Sequence, residues 1–555
     1  MSTQPKNILF IMFDQLRWDY LSCAGHPHLE TPHIDALAQQ GVRFTRAYCQ
    51  SPVCGSSRMS FYTGRYCHSH GATWNRVPLR VGERTMGDHL RDYGMDCWLV
   101  GKTHMKADQE GMERLGIPAD SIIGIRTEQC GFDVWERDDG MRPEGPDGLY
   151  DEKGAESYNA WLRERGYPGD NPWHDFANAS RDADGNVLSG WVMENARKPA
   201  AIKDEESETP YMTGRAIEFM DQAGETPWCL HLSYIKPHWP YISPPPYNDM
   251  YGPEHVIPVN RADAEWDDMH PVFEAYASGK VGKSFARDEV RAEVIPSYMG
   301  VIKQCDDQMG RLFAYLKTTG RWDDTLIVLT SDHGDYLGDH WMGEKDMFHD
   351  CSARIPMIIR DPSPAADGAR GTTCDALVEA IDLAPTFLEI AGGEERPHIL
   401  EGRSLMPLVR GKKPDEWRSF AISENNYGMF PGVAPFADTM DDPRQFMVVT
   451  ERWKYVHAPG LRPMLFDLET DPNELNDLGN DPAYADIRAS HREMLADWAQ
   501  RLSQRVTMSE DQAKAERKRS FTRGIQLGVF RQDELPEPAR PFYGLRPGPE
   551  VNEKN

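Results

Sequence analysis

Two residue pairs, Asp14-Gln15 and Asp332-His333, each stand just after an apolar run that reads as a strand. In a parallel α/β sheet, ligands collect outside the carboxyl ends of the strands. Two carboxylates, an imidazole and an amide oxygen suit a hard or borderline cation such as Ca²⁺, Mn²⁺ or Mg²⁺. A single aspartate after a strand more often caps a helix or shapes a turn. Two such pairs together point to a cation. The next element is Ser51-Pro52-Val53-Cys54-Gly55-Ser56-Ser57-Arg58, leading to Thr63-Gly64-Arg65. A helix that starts near Cys54 puts its thiol at the N-terminus and Arg58 one turn on, along the same face. Both features lower a thiol pKa and attract an anion. A buried cysteine beside a structural arginine fits the same segment.

The surrounding pattern supplies the elements that must position these groups. Strand-like runs at 7–13, 42–47 and 95–100 alternate with helical patterns at 33–40 and 85–93. A helix at 211–222 precedes a strand at 228–234, which runs into Lys236-Pro237-His238. Ile295, Tyr298, Met299, Ile302, Cys305, Met309, Leu312 and Leu316 recur at helical spacing and predict one long amphipathic helix. The run 325–330 is a fully buried kind of strand that ends directly in Ser331-Asp332-His333-Gly334-Asp335. A further strand is expected at 356–360 and a helix at 381–391, closed by Gly392-Gly393. Residues 105–209 are acidic and rich in Gly, Pro and Trp, and read as a long irregular insertion. After about residue 401 the pattern becomes antiparallel, with strands at 445–450 and 453–457 and a helix at 483–501.

Bulk properties narrow the classes. The chain has 555 residues, 39% hydrophobic and 27% charged, as expected of a large catalytic-size domain with accessories. A net charge of −27 argues against nucleic-acid binding, and requires that any anion site be a locally positive pocket. The run 8–13 is too short to span a bilayer, so no membrane association is expected. The 10 cysteines are scattered without zinc-site spacing, and reduced thiols in a cytoplasm are the expectation.

Further motifs follow in order: Gly101-Lys102-Thr103-His104, Pro237-His238-Trp239-Pro240, Lys345, Arg452-Trp453-Lys454-Tyr455, and Leu465-Phe466-Asp467-Leu468 with Asp471-Pro472 and Glu474. With Cys54, Arg58 and the two metal pairs, they make residues 5–505 resemble the sulfatase branch of the alkaline phosphatase superfamily. The pairs Asp-Gln and Asp-His, in place of Asp-Asp and Asp-Asn, look like phosphonate monoester hydrolases/phosphodiesterases, their close sulfatase relatives and choline sulfatases. Trp74-Asn75-Arg76-Val77-Pro78-Leu79 and Gly320-Arg321-Trp322-Asp323-Asp324-Thr325-Leu326 resemble the phosphonate hydrolase group as well.

The resemblance implies an α/β fold. A central mixed, mostly parallel sheet is flanked by helices in a catalytic domain over 1–400. An antiparallel-sheet-plus-helix subdomain follows over 401–505. A C-terminal arm, 506–555, would make contacts in a homo-oligomer, a dimer or tetramer. Its apolar stretch 524–530 reads as lying across another subunit's surface.

The resemblance also implies that a maturation enzyme oxidises Cys54 to formylglycine. That enzyme reads the position held here by Ser56, where Pro or Ala is usual. The aldehyde hydrate would attack a sulfate or phosphate-type ester in line, then collapse to release the anion and restore the aldehyde. Asp14, Gln15, Asp332 and His333, with modified Cys54, would hold one divalent cation, Ca²⁺ or Mn²⁺ with Mg²⁺ as a third option. Arg58 would hold the nucleophile's second oxygen. Lys102, His238 and Lys345 would bind the anion, with His238 or Lys345 as the acid for the leaving group. His104 would be the base, and Asn75 a donor to a non-bridging oxygen. The expected reaction is hydrolysis of a monoanionic sulfate ester. A phosphonate monoester hydrolase/phosphodiesterase is the alternative with the same site. A non-catalytic cation-binding member with unmodified Cys54 is the alternative of another class.

Overall fold

The computed structural model describes residues 5–140, 157–501, 506–519 and 528–548. The first apolar run becomes strand β1 (Asn7–Asp14), buried along its whole length. β2 (Val42–Tyr48), β3 (Asp96–Gly101) and β4 (Asp133–Arg137) follow. After a small hairpin, β5 (Ala179–Arg181) and β6 (Val187–Ser189), come β7 (Trp228–Pro237), β8 (Thr325–Ser331), β9 (Arg354–Arg360) and β10 (Thr372–Glu379). Eight of these strands form one sheet in the order β10-β2-β9-β8-β1-β7-β3-β4. Only β9 runs antiparallel to its neighbours.

The central strands β1, β7 and β8 are covered on both faces, which is why they read as apolar runs without polar alternation. Period-two geometry divides β1 between two cores. Leu9, Ile11 and Phe13 pack in the cluster holding Ile295, Met299 and Leu312 of the long helix Asp288–Thr318. Ile8, Phe10 and Met12 pack in the cluster holding Met59 and Phe61 of helix α2 (Cys54–Thr63) and Phe387 of the helix Leu383–Ile390.

Residues 105–209 differ from the irregular excursion expected. They contain the helices Gln109–Leu115, Ile122–Glu128 and Ser157–Glu164, the hairpin β5–β6, and β4, which closes one edge of the main sheet. β4 and β10 are the two edge strands. An edge strand has one neighbour and tolerates polar residues, so Asp-Val-Trp-Glu-Arg and Thr-Thr-Cys-Asp lack a strand's apolar signature.

The antiparallel part is a four-stranded sheet, β11 (Ala421–Asn425), β12 (Gln445–Val449), β13 (Trp453–His457) and β14 (Met464–Asp467), with the helix Ala485–Ala499. The signature residues found by sequence are structural here. Lys454 is buried and pairs with Asp350 at 2.7 Å and Glu474 at 2.6 Å, and Arg452 brackets Asp467.

The chain divides into two compact units, residues 1–395 with 400–501, and residues 396–399 with 502–555. In the second, a helix spans Glu510–Arg519, and Phe530 and Leu545 are exposed. Most of the apolar stretch 524–530 lies outside the described residues. Among the described residues, no helix is long and apolar enough to cross a membrane.

Candidate active site and cation centre

Strand register assembles the site. β1 lies parallel to β8 with Phe13 opposite Ser331, so Asp14 and Asp332 leave the sheet side by side. On its other flank, β1 lies parallel to β7 with Asp14 opposite Pro237, which brings His238 to the same edge. β3 pairs with β7, Gly101 opposite Ser233, and delivers Lys102, Thr103 and His104. Gly101 has φ +109°, and a Cβ there would sit 1.9 Å from the Ser233 carbonyl oxygen. Only glycine lets β3 release its chain so close to β7.

Cys54 opens α2 as expected, and every residue of that helix is buried. Its Sγ lies 3.1 Å from His333 Nε2 and 3.7 Å from Asp14 Oδ1. One donor atom from each of Asp14, Cys54, Asp332 and His333 lies within 4.8 Å of the others. His333 Nδ1 donates to the Gly334 carbonyl at 2.8 Å, which leaves the Nε2 lone pair facing the cluster. Gln15 turns its Oε1 inward, 3.1 Å from Lys345 Nζ. Two carboxylates, one imidazole with its lone pair aimed inward, a sulfur and an amide oxygen form a donor set that fits a divalent cation. The other acidic cluster, His33 with Asp306 and Asp307, has a different use. Asp306 accepts the His33 and Ile34 amides at the start of helix α1 (Pro32–Gln40) and is paired with Lys303.

Arg58 makes its hydrogen bonds to the site's two carboxylates and their neighbours, and its charge also acts on Cys54. Fully buried, it donates to Asp332 at 2.8 Å, Asp14 at 3.3 Å, the Lys102 carbonyl at 2.9 Å and Ser233 Oγ at 2.7 Å. None of these bonds reaches Cys54. The guanidinium braces the two carboxylates. Lys102 adds a second pairing to Asp14. Burial raises the Asp14 pKa, but Lys102, then His238, Arg58 and Lys345, outweigh it and hold the carboxyl well below its usual value.

The thiol expectation is corrected. Burial, reinforced by Asp14, pushes the Cys54 thiol up to about 12 against the opposing pull of Lys345 and Lys102. A helix N-terminus and a nearby arginine do not offset complete removal from water beside a carboxylate.

Above this floor opens a cavity of about 740 Å³. Cys54, Asn75, Lys102, His104, His238 and Lys345 line it together, so the sequence-expected anion-binding groups do converge. Lys345 Nζ lies 3.1 Å from both Cys54 Sγ and His238 Nε2. His238 Nδ1 donates to the Trp239 carbonyl at 3.1 Å, so its Nε2 is the acceptor from Lys345. Burial, then Lys345, hold the His238 pKa well below its usual value. Burial and Lys102 do the same to His104, whose Nδ1 is buried without a hydrogen-bond partner. Asn75 Oδ1 accepts the Gly55 amide at 2.8 Å, leaving its NH₂ to donate.

The walls of the cavity come in part from the 105–209 segment, whereas the supports of the cation ligands carry no signal in the sequence. Trp173 and Trp191 of the 105–209 segment line the cavity with Trp74, Trp239 and Phe430, beside the carboxylates Asp139, Glu344 and Asp346. Asp335 and Tyr241 hold the amide of Gln15, a role the sequence does not announce. Asp335 stands in the motif that ends β8, but Tyr241 carries no local signal. Ser56 has a buried hydroxyl without a partner. Ser56→Ala should therefore raise unfolding free energy by about 1 kcal/mol, read from urea denaturation. A loss of stability would show that the hydroxyl is satisfied.

Comparisons with known proteins bear on the family and the fold. The Sulfatase family profile matches residues 6–393, and that of the N-sulphoglucosamine sulphohydrolase C-terminal region matches 338–501. The multifunctional alkaline phosphatase superfamily protein PehA of Trinickia caryophylli is 32% identical, with 89% of this chain and 95% of that protein covered. An arylsulfatase of Clostridium perfringens is 27% identical over 86% of this chain and 91% of its own length. The solved phosphonate monoester hydrolase of Agrobacterium radiobacter is 30% identical with a TM-score of 0.77, covering 92% of this chain and 99% of that one. The expected fold class and resemblance both hold, and the chain belongs to the sulfatase family.

Proposed function

We propose that the chain hydrolyses monoanionic sulfate esters at Cys54, after its conversion to formylglycine, with one divalent cation held by Asp14, Gln15, Asp332, His333 and modified Cys54. The observation that carries this is the convergence of Lys102, His104, His238 and Lys345 on one cavity above the cation ligands. When bound, the cation and the aldehyde hydrate supply a nucleophile at neutral pH and charge neutralisation. The chain's own residues do the rest. Lys102, Lys345 and the Asn75 amide offer donors to the non-bridging oxygens, where negative charge grows. Of the two candidate acids, Lys345 is the one with a proton to give, because neutral His238 accepts from it at Nε2. His104, neutral and unpartnered at Nδ1, suits the role of base. Trp74, Trp173, Trp191 and Trp239 offer flat apolar faces to an aryl leaving group, with Asp139, Glu344 and Asp346 leaving room for polar substituents on it.

A phosphonate monoester or phosphodiester is the second reading, favoured by the likeness to PehA and to the Agrobacterium enzyme. Rates on 4-nitrophenyl sulfate, a 4-nitrophenyl phenylphosphonate and a 4-nitrophenyl phosphodiester decide between them. The sulfate is expected to give the highest kcat/KM, and a large excess on the phosphonate would overturn that choice. The reading includes three further expectations. A maturation enzyme acts on Cys54, residues 506–555 serve contacts in a homo-oligomer, and the ten free cysteines reflect a reducing, cytoplasmic setting. A non-catalytic role would account for Arg58 and Lys102, which pair with the buried carboxylates, but gives no use to Lys345, His238 and His104 facing the cavity. Mass spectrometry of the Cys54 peptide from the native host tests it, since thiol alone would sink the formylglycine mechanism.

A further inference from the structure

We propose that Asp335, seconded by Tyr241, is a positioning residue that turns the side-chain oxygen of Gln15 toward the cation. This rests on the reading of Asp14, Gln15, Cys54, Asp332 and His333 as a cation site.

Gln15 has a pinned backbone. Its φ is +66°, its amide donates to Asp332 Oδ1 at 3.1 Å, and its carbonyl accepts the Tyr298 hydroxyl at 2.7 Å. The remaining freedom is a half-turn of the terminal amide, a torsion with two wells of similar intrinsic energy. One orientation offers an oxygen to a cation, and the other offers an NH₂, which cannot be a ligand. Local sterics do not choose between them, so the surroundings must.

Asp335 makes the choice. It is fully buried, and its Oδ1 accepts the Leu337 amide at 2.9 Å. Its Oδ2 accepts both Gln15 Nε2 and the Tyr241 hydroxyl. Tyr241 Oη also lies 3.1 Å from Gln15 Nε2. A carboxylate has no proton to give, so the flipped amide would set oxygen against oxygen. The allowed orientation leaves Oε1 3.1 Å from Lys345 Nζ, on the side of Cys54. The brace also explains why a neutral amide stands at position 15. A carboxylate there would set a second buried negative charge against Asp335, with the single Tyr241 proton to share between them.

Asp335→Asn should release the choice in a defined way. The Leu337 amide keeps demanding an acceptor, so the substituted side chain presents its Oδ1 to Leu337 and its NH₂ to Gln15. Gln15 then turns over and aims its own NH₂ at the cation. Combining this change with Gln15→Glu inverts the polarity of the pair at unchanged size and net charge. The NH₂ at position 335 now donates to one oxygen at position 15, and the other oxygen faces the cation.

The experiment measures Mn²⁺ affinity of the full-length chain by isothermal titration calorimetry, with the mass of the Cys54 peptide matched between samples. D335N should bind Mn²⁺ about tenfold or more weakly, and Q15E/D335N should return to within about threefold of the unsubstituted protein. If D335N does not fold, the double variant alone carries the test. D335N binding as well as the unsubstituted protein would overturn the role of Asp335 and leave the cation site standing. A double variant as weak as D335N would do the same, since Asp335 would then be merely structural. If the unsubstituted protein binds no Mn²⁺, the cation site itself falls, and this inference with it.

Discussion

Cys54→Ala is expected to lower kcat/KM by about 10⁴-fold or more on whichever ester the protein cleaves best. Among the described residues lining the cavity there is no serine or threonine to take over. The anion-binding groups Lys102, Lys345 and Asn75 remain in place, so KM should change little while kcat collapses. The substitution removes one buried sulfur from a packed helix, a cost of about 1 kcal/mol, so the protein still folds. Steady-state kinetics beside a thermal melt separate the two effects. Retention of more than about a tenth of kcat/KM would move the nucleophile away from residue 54.

The second large effect is on stability. Arg58→Met should cost about 3–5 kcal/mol in chelator-treated protein, because it removes one partner from a fully buried charge network. Asp14 and Asp332 are both fully buried, and the guanidinium reaches both. Methionine fills much of the space but takes the guanidinium from both Asp332 and Asp14, leaving Asp14 its direct pairing to Lys102. A bound cation offsets the same two carboxylates, so saturating Mn²⁺ should recover part of the loss. Denaturant unfolding with and without Mn²⁺ measures both quantities. A variant within about 1 kcal/mol of the unsubstituted protein under chelation would show that Arg58 is not the brace described above.

Legibility of the site followed strand register. Asp14, Asp332, His238 and Lys102 were readable because each stands at the end of, or just beyond, an apolar strand, and such strands carry the clearest local pattern. The supports were harder to read. Tyr241 follows β7 by a few residues, yet its contact to Gln15 spans 226 positions, and that from Gln15 to Asp335 spans 320. No local period encodes such a pairing. Arg58 shows the same limit. The helix starting at Cys54 was foreseen, but the direction of the guanidinium depends on where β1, β3, β7 and β8 deliver their ends.

By itself, the sequence determined the buried central strands, the long helix Asp288–Thr318, the helix that opens on Cys54, and the family to which the motifs belong. These rest on local periodicity and on residue types that few other positions can hold. Tertiary structure alone decided three things. It placed β4 and β10 at the sheet edges, where one-sided pairing removes the apolar signature. It turned the Arg58 guanidinium onto Asp14 and Asp332. It also raised the thiol pKa that local position would have lowered, because burial depends on the whole fold and outweighs the N-terminus of one helix.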